Sequence, residues 1–381
     1  MRLIHLSDLH IGKRVNEFSM LEDQEYILKR ILNIIDDEKP DGVIIAGDVY
    51  DRTMPSEDAV KLLDRFLTSL AKRKLQVYII SGNHDSAVKL SFASGLIDLS
   101  GIHIAPVYDG NVEPMRLEGS DGISANIYML PFVKPVTVKN IFKDEAEDIK
   151  DYTGACRVAI EHMDIDETTT NILVAHQFVA GATPSDSEEH TVGGLDNVNV
   201  SVFAPFDYVA LGHIHGPQKV GRETVRYSGT PLKYSLSEAK HHKSVTVIDI
   251  PENKKMELRT VELVPMRDLR EIKGTFAELT DKAYYEGTPV EDYIYVVLTD
   301  EEDIPDALGK LRVIYPNIMK LRYDNTRTRT DNIIEEGAVL EGKQPIDLFE
   351  ELYEKQNNKS MSPEQREFME ELINKVFKEE G

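Results

Sequence analysis

Apolar runs and helical spacings alternate from the first residues of the chain. "RLIHLS" at 2–7 reads as a short apolar strand. Residues 21–38 then set Leu21, Tyr26, Ile27, Ile31, Ile34 and Ile35 at the three-and-four spacing of a one-faced helix. "DGVIIAGD" is a continuous apolar strand, and "SEDAVKLLDRFLTSLAKR" is an amphipathic helix with Ser56 as its cap. "LQVYIISGNHD" repeats the order of strand and polar loop. Further strands are read in "ISANIYMLP", "TNILVAHQF", "FDYVALGHIH", "ETVRYSG" and "KSVTVIDI". An α/β first half followed by a strand-rich stretch predicts an α/β fold of two packed β-sheets flanked by helices.

The pattern changes near residue 251. "PENKK" is a turn-rich break, and "DYIYVVLTDEEDIPDALGKLRVIYPNIMKLRYDN" reads as strand, helix, strand. Three parts are expected: 1–250, a small α/β domain over 251–340, and a helical segment over 341–381. In the last part Ile346, Leu348, Phe349, Leu352 and Tyr353 form one apolar stripe. Phe368, Met369, Leu372, Ile373 and Phe377 form a second, on a helix opened by Ser362 and Pro363.

Composition narrows the class. A chain of 381 residues exceeds what one core usually supports, and 41% hydrophobic with 29% charged residues suits a water-soluble protein. The single cysteine, Cys156, fits a reducing cytosol and is expected to be a small buried hydrophobe. The opening "MRLIHLSDLHIG" lacks the features of a signal peptide, and no apolar run reaches membrane-span length, so a cytoplasmic location is expected. The net charge of −23 argues against a broad basic surface for nucleic acid, so any such contact has to be local.

The chemistry collects where the apolar strands stop. Asp8 and His10 follow the first strand, Asp48 the second, and Asn83, His84 and Asp85 the third; His176, His213 and His215 end later strands. Strand ends on one side of an α/β sheet converge on a crevice. Carboxylate, amide oxygen and imidazole together suit a first-row divalent metal such as manganese. Two carboxylates, one asparagine and four imidazoles exceed the needs of one ion, so two ions are expected, with one carboxylate able to bridge them. Two divalent cations outweigh two aspartates and leave a positive centre in a negative protein.

"DLH", "GDVYD", "GNHD", "AHQ" and "GHIH", in that order, resemble the signature of the calcineurin-like metallophosphoesterases. "FDYVALGHIHGPQ" and "YSGTPLKYS" narrow the resemblance to the SbcD family of bacterial nuclease subunits. The resemblance implies an α/β–β/α sandwich, a capping domain, and one ion held by Asp8, His10, Asp48 and His215. It implies a second ion held by Asp48, Asn83, His176 and His213, so that Asp48 bridges. His84 would protonate the leaving oxygen, with Asp85 orienting it. Archaeal and eukaryotic relatives carry a histidine where this chain has Asp51, so that residue's contact with the substrate phosphate is not carried over.

The same resemblance implies a manganese-dependent DNA nuclease of repair, recombination and replication. Its activity would be ATP-dependent exonuclease on duplex ends and endonuclease on single strands and hairpins. The partner would be the coiled-coil ATPase SbcC, gripped by the C-terminal segment in an assembly of two SbcC and two nuclease subunits. No GxxxxGK[ST] occurs, so the ATPase has to be a separate chain. Lys320, Arg322, Arg327 and Arg329 in "KLRYDNTRTR" are the local basic candidates for DNA. A homodimer through apolar helices at 56–73 and 86–99 is expected, with Leu62, Leu63, Phe66, Leu67 and Leu70 exceeding a narrow core stripe. A phosphatase or cyclic-nucleotide phosphodiesterase of the same fold is the alternative, and a non-catalytic scaffold a third reading.

Overall fold

The computed structural model describes residues 1–188, 197–326, 345–357 and 359–379. The chain divides into two units, Met1–Leu269 and Arg270–Gly381. The first unit runs past the turn-rich stretch at 251 because the strand Glu257–Glu262 pairs antiparallel with Ser244–Asp249.

Two six-stranded sheets build the first unit. In one, Arg2–Leu6, Gly42–Ala46 and Gln76–Ile80 lie side by side and parallel. In the other, Ser124–Leu130, Thr170–His176 and Tyr208–Gly212 do the same. The central strands of both sheets are buried on both faces and read as apolar runs, and alternation decides which core each side chain enters. Ile172, Val174, Tyr208 and Ala210 join Leu3, Ile44, Ala46, Tyr78 and Ile80 in one apolar cluster. Leu173, Ala175, Val209 and Leu211 point the other way and pack with Cys156, Val158 and Ala159 of the helix Tyr152–Glu161. Cys156 is fully buried, and burial pushes its thiol up to about 12.

The helix Leu21–Glu38 coincides with the apolar period, and Ser56 caps Glu57–Lys72 by accepting from the Ala59 amide. Leu62, Leu63, Phe66 and Leu70 are buried within the chain, so this helix spends its stripe on its own core, not on a second copy. The expected helix over 86–99 breaks into short turns at Ala87–Leu90, Ser94–Ile97 and Asp98–Ser100. Ala93 sits there with a left-handed φ of 59°, and Phe92, Leu96 and Leu99 are exposed. Serines and Gly95 leave too little helical propensity to hold a helix that nothing covers.

The second unit has a three-stranded sheet, with Leu269–Gly274 and Ile318–Tyr323 flanking Tyr293–Leu298. Ile272, Leu279, Ile294, Val296, Leu311 and Tyr315 form its core. Helices Pro345–Asn357 and Pro363–Glu379 follow. Ser362 and Gln365 close a reciprocal cap, the hydroxyl accepting from the Gln365 amide and the Gln365 side chain accepting from the Ser362 amide. Among the described residues no helix is long and apolar enough to cross a membrane.

Candidate metal centre

Parallel pairing puts the C-terminal ends of the strands at one edge of each sheet. Leu6 pairs with Ile45, Ala46 with Ile80, and Gly212 with His176. The loops after these ends therefore meet, and they bring Asp8, His10, Asp48, Asn83, His176, His213 and His215 together. His10 Nε2 lies 3.1 Å from His215 Nε2. Asp48 Oδ2 lies 3.3 Å from His176 Nε2 and 3.7 Å from His10 Nε2. Asn83 Oδ1 is 3.0 Å from His176 Nε2 and 2.9 Å from His213 Nδ1. Asp8 holds the His213 amide through Oδ1 at 2.9 Å.

The backbone at this edge is unusual. Asp8, His10, Asp48 and His213 all have positive φ, at 52°, 42°, 48° and 105°. L-residues avoid that region, so the surrounding structure holds these ligand positions against a local cost. Two glycines allow the approach. A Cβ on Gly82 would collide with the Asp48 carboxylate, and one on Gly212 with the Ala46 carbonyl that joins the two sheet edges.

Electrostatics match a cation site. Burial would push Asp48 up, but the neighbouring imidazoles of His176 and His10 hold it well below the usual carboxylate range. Burial lowers His176, yet Asp48 lifts it further, to about 9. Burial pulls His213 down to about 3 and His10 well below its ordinary value, and it raises Asp8 to about 6. Asp8 Oδ2 and His10 Nδ1 are buried without a hydrogen-bond partner. Buried polar atoms are normally satisfied, so these orphans, beside the neutral imidazoles of His10 and His213, fit a metal-binding donor set. Donor atoms of Asp8, His10 and His215 lie within 4.8 Å of one another, as do those of Asp8, Asp48 and His176, and of His10, Asp48 and His84.

His84 stands apart in exposure. Its side chain is 17% exposed, against 0% for His10 and His176. Its Nε2 is 4.0 Å from Asp48 Oδ2, its amide donates to Asp48 Oδ1 at 2.9 Å, and its Nδ1 lies 3.2 Å from the Asp51 carbonyl. Asp85 turns its carboxylate to the backbone. Both its oxygens are spent on backbone amides, of Val49 and Gly82 at 3.0 and 2.9 Å and of Tyr50 at 2.9 Å. Asp85 ties the loop after Ala46 to the loop after Ile80, and the His84 ring meets the Asp51 carbonyl. The Asp51 carboxylate takes Lys13 Nζ at 2.7 Å.

Of the basic candidates for DNA, Lys320 and Arg322 share one face of the Ile318–Tyr323 strand and are exposed. Arg322 also pairs with Glu271 at 3.1 Å. Arg327 and Arg329 lie outside the described residues. Sequence reading missed Ser187, Glu188, Glu238 and Lys243, which surround His215 from behind. "YSGTPLKYS", which served only to narrow the family resemblance, stops three residues short of Glu238.

Residues 1–217 match a family described as calcineurin-like phosphoesterase. Residues 265–357 match one described as type 5 capsule protein repressor C-terminal domain. The chain is 32% identical to a protein of Staphylococcus epidermidis named as the SbcD component of the nuclease SbcCD, with all of both chains covered. Among solved structures, TT1561 of Thermus thermophilus aligns with 68% of this chain and 98% of its own, at 10% identity and a TM-score of 0.38. A dimetal phosphatase from Danio rerio aligns with 69% and 96%, at 12% identity and a TM-score of 0.40.

Proposed function

The chain belongs to the calcineurin-like phosphoesterases, in the SbcD family of nuclease subunits, and on that premise we propose that it hydrolyses DNA phosphodiester bonds with two divalent ions, most simply Mn2+. The observation that carries this reading is the meeting of six oxygen- and nitrogen-bearing side chains, from both sheets, around Asp48. One ion falls to Asp8, His10, Asp48 and His215, and the other to Asp48, Asn83, His176 and His213. When bound, the ions supply positive charge to draw in a phosphodiester and Lewis acidity to activate water.

The chain's own groups do the rest. Asp48 lies between the imidazoles of both sets and serves both. His84, the most open of the imidazoles at this edge, faces outward and delivers the proton that a departing alkoxide requires. The Asp51 carbonyl fixes its ring. Lys320 and Arg322 offer phosphate contacts on the second unit. Incubating the protein with Mn2+ and hairpin or duplex DNA, beside a phosphomonoester, tests the reading. Faster turnover of the monoester would favour the phosphatase alternative and overturn it.

In the cytoplasm the nuclease works with the ATPase SbcC, in an assembly of two copies of each, as an ATP-dependent exonuclease and endonuclease of DNA repair. Two surfaces support those contacts. Leu352, Phe368 and Leu372 on the last two helices are 51%, 64% and 44% exposed, apolar anchors on otherwise charged helices. Deleting residues 341–381 should abolish co-purification with SbcC while leaving Mn2+-dependent cleavage of simple DNA. A truncated chain that still co-purifies would move the interface elsewhere.

Val88, Phe92, Leu96 and Leu99, at 71–86% exposure, form the second surface. Apolar residues bunched this way mark an interface more often than a monomer's surface, and we assign it to a second copy. Light scattering of the wild type at micromolar concentration should show a dimer, and Phe92→Glu with Leu96→Glu should show a monomer. A wild type that is monomeric throughout overturns the assignment.

A further inference from the structure

Behind His215, on the side away from His10, lies a buried polar cluster that the metal reading does not use. Ser187 Oγ is 2.6 Å from His215 Nδ1 and 2.5 Å from Glu238 Oε1. Glu238 is fully buried, and its other oxygen accepts from the buried Lys243 ammonium. Lys243 also donates to the His215 carbonyl at 2.9 Å and to Thr230 Oγ1 at 2.7 Å. Glu188 Oε1 accepts the His215 amide at 2.5 Å. His215 is thus held at its amide, its carbonyl and its Nδ1.

A buried ion pair is seldom more stabilising than apolar packing of the same volume, so its presence here calls for another reason. Resting on the two-metal reading above, we propose that Ser187 and Glu238 are positioning residues for His215. Nδ1–H donates to Ser187 Oγ, and the Ser187 hydroxyl donates to Glu238. That order leaves Nε2 free of a proton and aimed at His10, whose own Nε2 is 3.1 Å away. Metal-binding imidazoles usually donate their second N–H to a carboxylate or carbonyl, which fixes the tautomer and strengthens the ligand. Here a hydroxyl is interposed, and Lys243 neutralises the carboxylate so that the relay stays buried without a net charge.

The test compares the full-length wild type, Ser187→Ala and Ser187→Thr. Mn2+ titrations are followed by the electron paramagnetic resonance of free Mn2+, and melting is recorded without metal. The wild type should bind two ions. Ser187→Ala should weaken one of them about 10–100-fold and leave the other unchanged, and Ser187→Thr should restore it. All three should melt alike without metal. Two ions held by Ser187→Ala at wild-type affinity would overturn the relay and leave the two-metal reading standing. A wild type that binds no Mn2+ overturns both. A metal-free melting temperature that falls in step with affinity, and that threonine does not restore, reduces Ser187 to packing.

Discussion

Replacing Asp48 by alanine removes stoichiometric binding of both ions and lowers DNA hydrolysis by at least roughly 10⁴-fold, the scale on which groups acting as a unit fail together. Asp48 turns one oxygen to an imidazole of each set, whereas Asp8 spends an oxygen on the His213 amide. One oxygen of Asp48 faces His176 and His10, and the other holds the His84 amide. The side chain is 2% exposed, so water cannot replace it without rearrangement. Its removal also leaves His176 without the charge that lifts it. Mn2+ per chain, measured after desalting, and cleavage of a hairpin substrate check the result. Two tightly bound ions in the variant would refute the bridge.

His84→Gln is expected to separate binding from turnover. Glutamine keeps a polar side chain of similar reach but cannot deliver a proton at neutral pH. Metal occupancy and DNA affinity should stay near wild type while turnover falls roughly 10²–10⁴-fold. The opposing possibility is concrete, since His84 Nε2 is 4.0 Å from Asp48 Oδ2 and lies within ligand range of His10 and Asp48. A collapse in Mn2+ occupancy would make His84 a ligand and end its assignment as the acid. A substrate with a good leaving group, such as a nitrophenyl phosphodiester, should be spared most of the loss.

Much of this was legible in the sequence for one physical reason. Strands buried on both faces read as apolar runs, so the polar residues that come just after each run mark the sheet edge. Asp8, Asp48, Asn83, His176 and His213 were all found that way. Helices with one apolar stripe were equally plain, and Leu21–Glu38 matches its period from end to end. What periodicity does not report is which surface a stripe meets. The Glu57–Lys72 helix turns Leu62, Leu63, Phe66 and Leu70 into its own chain, while the exposed apolar residues lie in the broken turns that follow "GNHD". Side-chain direction was equally hidden. Asp85 adjoins His84 in sequence but points to the amides of Val49, Tyr50 and Gly82. Ser187, Glu238 and Lys243 come from separate segments that only folding brings behind His215.

Asp8, His10, Asp48 and Asn83 follow strands of one sheet, whereas His176 ends a strand of the other and His213 and His215 follow its neighbour. Ions held between them, as proposed above, would be a removable cross-link joining the two sheets. Free metal at a hundredfold excess over its dissociation constant stabilises a folded chain by about 2.7 kcal/mol per site, and here that gain also offsets the left-handed backbone at four of the donors. On that reading metal starvation would do more than silence the centre. The metal-free chain would then melt at a lower temperature and be cut faster by an added protease than the same chain loaded with Mn2+.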